Sequence, residues 1–192
     1  MLNTLIWGLD QPIAAPLIAR LHDEGVFCVK KWIVTESDSK TPFFMEREGV
    51  EIIEDKLELN FSQEDLDFPP TWLDEKIRPY FPVILQNFAR QLFYDRLPVY
   101  EFMNIIQIWV RYYYTMLVRN QIDIVVFADI PHEGGRSILY PMARAMGIPT
   151  LILVPSGPFG TFAYCFSIED YGRFADVPMF RTPHPEETEV RQ

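Results

Sequence analysis

Two hydrophobic rhythms alternate along the chain, and each change of rhythm marks an element. Residues 2–9 (LNTLIWGL) form a short apolar run closing at a glycine, the pattern of a buried strand. Ile13, Leu17 and Leu21 then recur at helical spacing, with Ala14, Ala15 and Ile18 widening the apolar face and Gly25 placed where a helix stops. Residues 26–35 (VFCVKKWIVT) are rich in β-branched and aromatic side chains and predict a second strand. Strand, helix and strand with short connections make a βαβ unit, which implies parallel strands joined by a right-handed crossover.

The next stretch is less regular. Val50 and Ile52, then Leu57, Leu59 and Phe61, alternate enough for one short edge strand, and the acidic stretch 63–67 (QEDLD) ends in Pro69-Pro70. Residues 71–98 have a helical pattern interrupted at Pro79 and Pro82, with Thr71 as the cap and Asp74 and Glu75 as first-turn acids. Residues 100–120 predict a long helix whose apolar side chains, among them Phe102, Ile106, Trp109, Tyr113 and Leu117, go nearly all the way round. Such a helix is a buried crossover or one side of a homodimer.

The last third repeats the opening pattern. Residues 122–130 (IDIVVFADI) are a strand with an acid near its far end, and residues 131–135 (PHEGG) are a tight loop. A helix over 136–146 is closed by Gly147, and a strand over 150–154 runs into the loop 155–160 (PSGPFG). Two βαβ units predict an α/β chain: a Rossmann-like three-layer αβα sandwich with a mostly parallel sheet. Residues 1–180 read as a single domain and 181–192 as a polar, flexible tail.

Composition narrows the function classes. A length of 192 residues fits one domain, and an aromatic content of 15% with 16 prolines implies a bulky core broken by stiff loops. Seventeen basic against 27 acidic residues give a net charge of -10, which disfavours nucleic acid and anionic membrane surfaces as partners. Cys28 and Cys165 show neither CxxC nor metal-ligand spacing and read as two buried thiols of a reducing compartment. The N-terminus lacks a basic region, and the apolar stretch 105–118 carries Gln107 and Arg111 and is too short to span a bilayer. The chain therefore reads as cytoplasmic with no integral membrane segment. No HExxH, paired CxxC or GxSxG occurs, and the residues call for no metal and no cofactor.

In an open parallel sheet, ligands bind outside the carboxyl ends of the strands. Three segments arrive there: Gly8 to Asp10, Asp129 to Arg136, and the loop containing Ser156 and Gly157. His132 is suited to proton transfer near neutral pH, with Glu133 or Asp129 to orient it, so His132 and Glu133 are the candidate catalytic pair. Gly134 and Gly135 allow backbone amides to approach a ligand at a helix start, and Arg136 adds a charge-assisted bond. Gly8, Asp10, Asp129, Gly134, Gly135, Arg136, Ser156 and Gly157 form the candidate binding set. The same residues also have structural uses. Asp129 can cap its own loop, the two glycines can serve turn geometry alone, and they match neither GxGxxG nor the Walker pattern. His22, at a polar helix end, reads as solvent-facing.

The run 123–151 (DIVVFADIPHEGGRSILYPMARAMGIPTL) resembles a segment of bacterial capsular and surface-polysaccharide biosynthesis proteins. In those proteins a PHEG-like loop follows a strand, and a helix and strand of the pattern LY..A...GIPTL come next. Trp7-Gly8-Leu9-Asp10 and Lys31-Trp32-Ile33 look like their N-terminal βα unit, while residues 36–98 have no counterpart. The resemblance implies the N-terminal, acceptor-side domain of a two-domain glycosyltransferase of the GT-B type, working on a nucleotide-sugar and a glycan acceptor. It would make His132 or Glu133 the base that deprotonates an acceptor hydroxyl. A GT-B enzyme holds its donor mainly in a second Rossmann-like domain, for which 192 residues leave no room. The implied alternatives are a missing C-terminal domain, or a stand-alone Rossmann-like module that binds a nucleotide or phosphorylated small molecule without catalysis. A third reading is an interaction protein dimerising through the aromatic helix.

Overall fold

The computed structural model describes residues 1–11, 14–34, 47–55, 65–89, 98–155 and 162–171. Six strands form one sheet: β1 (Leu2–Trp7), β2 (Phe27–Val34), β3 (Glu51–Glu54), β4 (Ile124–Phe127), β5 (Thr150–Pro155) and β6 (Phe162–Cys165). Their order is β3-β2-β1-β4-β5-β6, parallel throughout except for the antiparallel β5–β6 edge. The helices are α1 (Ala15–Asp23), α2 (Thr71–Ile77), α3 (Phe81–Ala89), α4 (Val99–Arg119) and α5 (Arg136–Ala145). This is the Rossmann-like α/β arrangement that the two βαβ units predict.

The sheet is covered on both faces, which is why β4 (IVVF) and the C-terminal halves of β1 (LIW) and β2 (WIV) are continuous apolar runs. Leu5, Trp7, Val125 and Phe127 point into one core with α2, α3, α4 and α5, whereas Ile6 and Val126 point into the other with Ala15 and Ile18 of α1. The period of two along β1 and β4 thus divides their side chains between the layers. Helix α4 is the crossover that precedes β4, and it buries Phe102, Ile106, Trp109, Tyr113 and Leu117. Residues 66–67 are fastened to it: Thr115 Oγ1 accepts from the Asp67 amide at 2.8 Å, Arg111 donates to the Leu66 carbonyl at 2.7 Å, and Arg119 grips the Asp67 carboxylate with two bonds of 2.8 and 2.9 Å.

Several details depart from the sequence reading. Thr71 is not a cap but the first helical residue of α2; the cap position is Pro70, with φ -68° and ψ 152°. The ring of Pro70 fixes a φ suited to that extended position, so the helix begins directly after it. Pro79 sits in a 3-10 turn, Arg78–Tyr80, that separates α2 from α3. Strand β6 is an addition, a short aromatic return strand against β5. Cys28 is half-buried rather than buried, and neither it nor the buried Cys165 is in a disulfide. His22 does not simply face solvent: its Nδ1 accepts from the Val29 amide at 3.2 Å and ties α1 to β2. The boundary between domain and polar tail at residues 180–181 lies outside the described residues. Among the described residues no helix is long and apolar enough to cross a membrane.

At the N-terminal end of the sheet, β1 and β4 are zipped together. The Asn3 amide donates to Asp123 Oδ2 at 2.8 Å, the Asp123 amide donates to the Asn3 carbonyl at 2.8 Å, and Asn3 Nδ2 donates to the Gln121 carbonyl at 3.0 Å.

Candidate functional site

At their other end the same two strands part. Strand order runs outward in opposite directions from β1 and β4, so the crevice beyond their carboxyl ends is the switch point at which open α/β sheets bind ligands. Beyond Trp7 the chain bends through Gly8 (φ 77°) and Leu9 (φ 60°). Glycine adopts this left-handed backbone freely, but at Leu9 it costs on the order of 1–3 kcal/mol. Surrounding contacts hold the bend. The Gly8 amide donates to the Ile33 carbonyl at 2.8 Å, the Gly8 carbonyl accepts from Trp32 Nε1 at 2.8 Å, and the Leu9 side chain is buried. The bend delivers Asp10, which is also buried.

Across the crevice, the loop after β4 is closed by Asp129, whose Oδ1 accepts from the Ile130 amide at 2.7 Å. His132 Nδ1 lies 2.7 Å from the Ile130 carbonyl. A carbonyl can only accept, so the geometry assigns the neutral ring's proton to Nδ1 and leaves Nε2 as the basic nitrogen. Nε2 is 3.5 Å from Glu133 Oε1, and Glu133 Oε2 is 3.4 Å from Arg136 Nη2.

Gly134 (φ 48°) and Gly135 then turn the chain into α5, whose N-terminus has no side-chain cap. A Cβ on Gly135 would lie 1.9 Å from the Tyr113 hydroxyl oxygen, 2.9 Å from Trp7 and 3.1 Å from Trp109. Protein aromatics thus fill the space that its missing side chain leaves. Trp109 stacks on Tyr113 with ring centres 5.1 Å apart, and Trp7 meets Tyr113 at 5.9 Å. Tyr113 is fully buried and its hydroxyl has no hydrogen-bond partner among the described residues. Burial, with the charge of Asp55 added, pushes its pKa well above the usual phenol value, so it stays protonated.

A cleft of about 190 Å³ opens here, lined by Asp55, Phe88, Trp109, Glu133, Gly134, Gly135 and Arg136. A hollow of about 10 Å³ adjoins it, sharing Asp55 and Trp109 and lined also by Trp7, Tyr112 and Tyr113. Asp55 follows β3 directly, and its Oδ2 accepts from Trp7 Nε1 at 3.2 Å. As a residue Asp55 is exposed, yet protein packs close around its carboxyl. That crowding raises its pKa above the usual carboxylate range, and Asp10 reinforces the effect, while Arg136 and the Trp7 hydrogen bond oppose it.

The structure therefore brings together Glu133, Gly134, Gly135 and Arg136 of the candidate set, with Asp10 near enough to Asp55 for their charges to interact. His132 does not line the cleft; its side chain is 51% exposed and reaches the rest through Glu133. Asp129 is engaged with its own loop, and Gly8 is a buried backbone pivot. Ser156 and Gly157 lie outside the described residues. The sequence reading missed Asp55, and it placed Phe88 and Trp109 nowhere near a site. A signal for Asp55 was present: like Asp10 and Asp129, it is an acid just past the end of a strand.

Among the described residues no group of three or more His, Cys, Asp or Glu side chains is placed to hold a metal ion. Compared with protein-family models, curated proteins and solved structures, the chain matches none of them.

Proposed function

We propose that this chain is a sugar-binding domain, the acceptor side of a GT-B-like glycosyltransferase of surface-polysaccharide biosynthesis, with the glycan acceptor seated in the cleft at the switch point. The observation that carries this reading is the make-up of the lining. Asp55, Glu133 and Arg136 offer hydrogen-bonding groups around the opening, and the buried Trp109 and Phe88 border it with apolar atoms. A pyranose has the matching halves, an apolar C–H face and a rim of hydroxyls. Two carboxylates against one guanidinium leave the lining acidic, and Arg136 already faces Glu133. A phosphate would meet net repulsion there, so on this reading the nucleotide-sugar donor is held elsewhere, by a further domain or a partner chain. Of the candidate pair, Glu133 borders the cleft and would then take the proton of the attacking hydroxyl, with His132 beside it at 3.5 Å.

The uncapped N-terminus of α5 beside Arg136 favours the second reading, a stand-alone module for a nucleotide or phosphorylated small molecule. Titration of the full chain followed by amide NMR separates the two. Neutral methyl glycosides are expected to shift the amides of Gly134, Gly135 and the Trp109 indole, while nucleoside diphosphates leave them unmoved. Shifts with nucleotides alone would replace the first reading by the second, and no shift with either class removes both.

A further inference from the structure

We propose that Asp55 is the hydroxyl-accepting residue of the cleft, binding a neutral pyranose through one of its ring hydroxyls. The assignment rests on the sugar-binding reading above and adds a residue that the sequence did not single out. Its basis is position and support. Asp55 borders both the cleft and the adjoining hollow, whereas His132 borders neither. Its Oδ2 already accepts from Trp7 Nε1 at 3.2 Å, which fixes the carboxyl while leaving acceptor capacity on both oxygens.

The brace itself is rigid. Trp7 closes β1 in the middle of the sheet, is 1% exposed, and is packed on Tyr113. A binding group held by a buried strand residue is placed more accurately than one on an exposed loop. His132, in contrast, is held by the Ile130 carbonyl of its own loop and, at 3.5 Å, by the exposed Glu133. Arg136 contributes charge across the cleft and opposes the repulsion between Asp55 and Asp10. The acids also settle the ligand class. A hydroxyl donates to a carboxylate, whereas a phosphate or carboxylate on the sugar would confront Asp55 and Glu133 directly.

Calorimetric titration of the full chain with methyl α-glucopyranoside, methyl α-galactopyranoside, methyl α-mannopyranoside and their monodeoxy analogues tests this. For the glycoside bound best, Asp55→Asn is expected to weaken binding by about tenfold or more, because a charge-assisted bond is lost. One monodeoxy analogue should lose a similar factor against the unaltered chain and almost nothing further against Asp55→Asn. Asp123→Ala, at the other end of the sheet, should change affinity by less than about twofold. Asparagine is close in size to aspartate and still accepts from Trp7, and unaltered amide spectra away from the cleft would confirm that the variant folds. Equal affinity for Asp55→Asn and the unaltered chain overturns the assignment alone, as does loss of binding in His132→Ala with Asp55→Asn unaffected. An unaltered chain that binds none of these glycosides removes both the assignment and the sugar-binding reading.

Discussion

The two ends of the β1–β4 pair are built from the same strands and the same apolar core, yet they treat polar groups in opposite ways. At the N-terminal end, Asn3, Asp123 and Gln121 satisfy one another with three bonds of 2.8 to 3.0 Å. At the C-terminal end, Trp7 to Asp55 is 3.2 Å, Arg136 to Glu133 is 3.4 Å and His132 to Glu133 is 3.5 Å. One end spends its polar groups on closing the sheet. The other leaves them loosely paired around a cleft, where a ligand can compete for them. Buried apolar side chains lie beneath both ends, Leu5 and Val125 toward one and Trp7 and Phe127 toward the other, so the difference lies chiefly in the loops.

The sharpest way to break the cleft end is through its packing. Gly135→Ala would set a methyl against the Tyr113 hydroxyl and the Trp7 ring, and is expected to destabilise the chain by about 3 kcal/mol in urea unfolding. Adding Tyr113→Phe removes the nearest atom and should recover part of that loss. The contrasting change at the closed end, Asp123→Ala, removes the acceptor of the Asn3 amide and should cost about 1 kcal/mol, with faster hydrogen exchange at Asn3 and no effect on cleft binding.

Acid titration sharpens the comparison further. The folded-state pKa of Asp55 is raised, chiefly by burial, so its ionisation opposes folding. As pH falls through that raised value toward the unfolded one, the folded chain takes up a proton first and gains stability. Asp67, held low chiefly by its hydrogen bonds from Arg119, works the other way. Its contribution is present above the unfolded pKa and is lost as pH falls through the folded one. Urea midpoints followed across the carboxylate range should therefore show a stabilising component on mild acidification that Asp55→Asn abolishes and Asp67→Asn does not. The smallest effect belongs to His132→Ala, within about 0.5 kcal/mol, because that side chain is half exposed and its partner Glu133 is exposed as well.

The fold was legible because periodicity reports burial. Residues 5–7 and 125–127 are covered on both faces, and their unbroken apolar runs say so directly. Strand β6 was not legible: four residues at an edge, with Tyr164 exposed, carry too little pattern to separate from a loop. The site was half legible. Glu133 to Arg136 are contiguous and announce a strand-loop-helix bend. Asp55 joins them from 78 positions away from Glu133 only because β3, at the far edge of the order, ends level with β1, and no local pattern encodes that meeting. Gly135 was read as room for a ligand, whereas the room is taken by Tyr113, a contact that depends on how α4 lies across the sheet.

Leu9 gives the cleft one further property. A glycine there would relieve the torsion but would swivel; the leucine instead drives its side chain into the layer beneath α1 like a peg. The direction in which Asp10 leaves the sheet is therefore set from the opposite face of the molecule. Remodelling of the packing under α1, remote from any ligand, would re-aim an acid at the rim of the crevice.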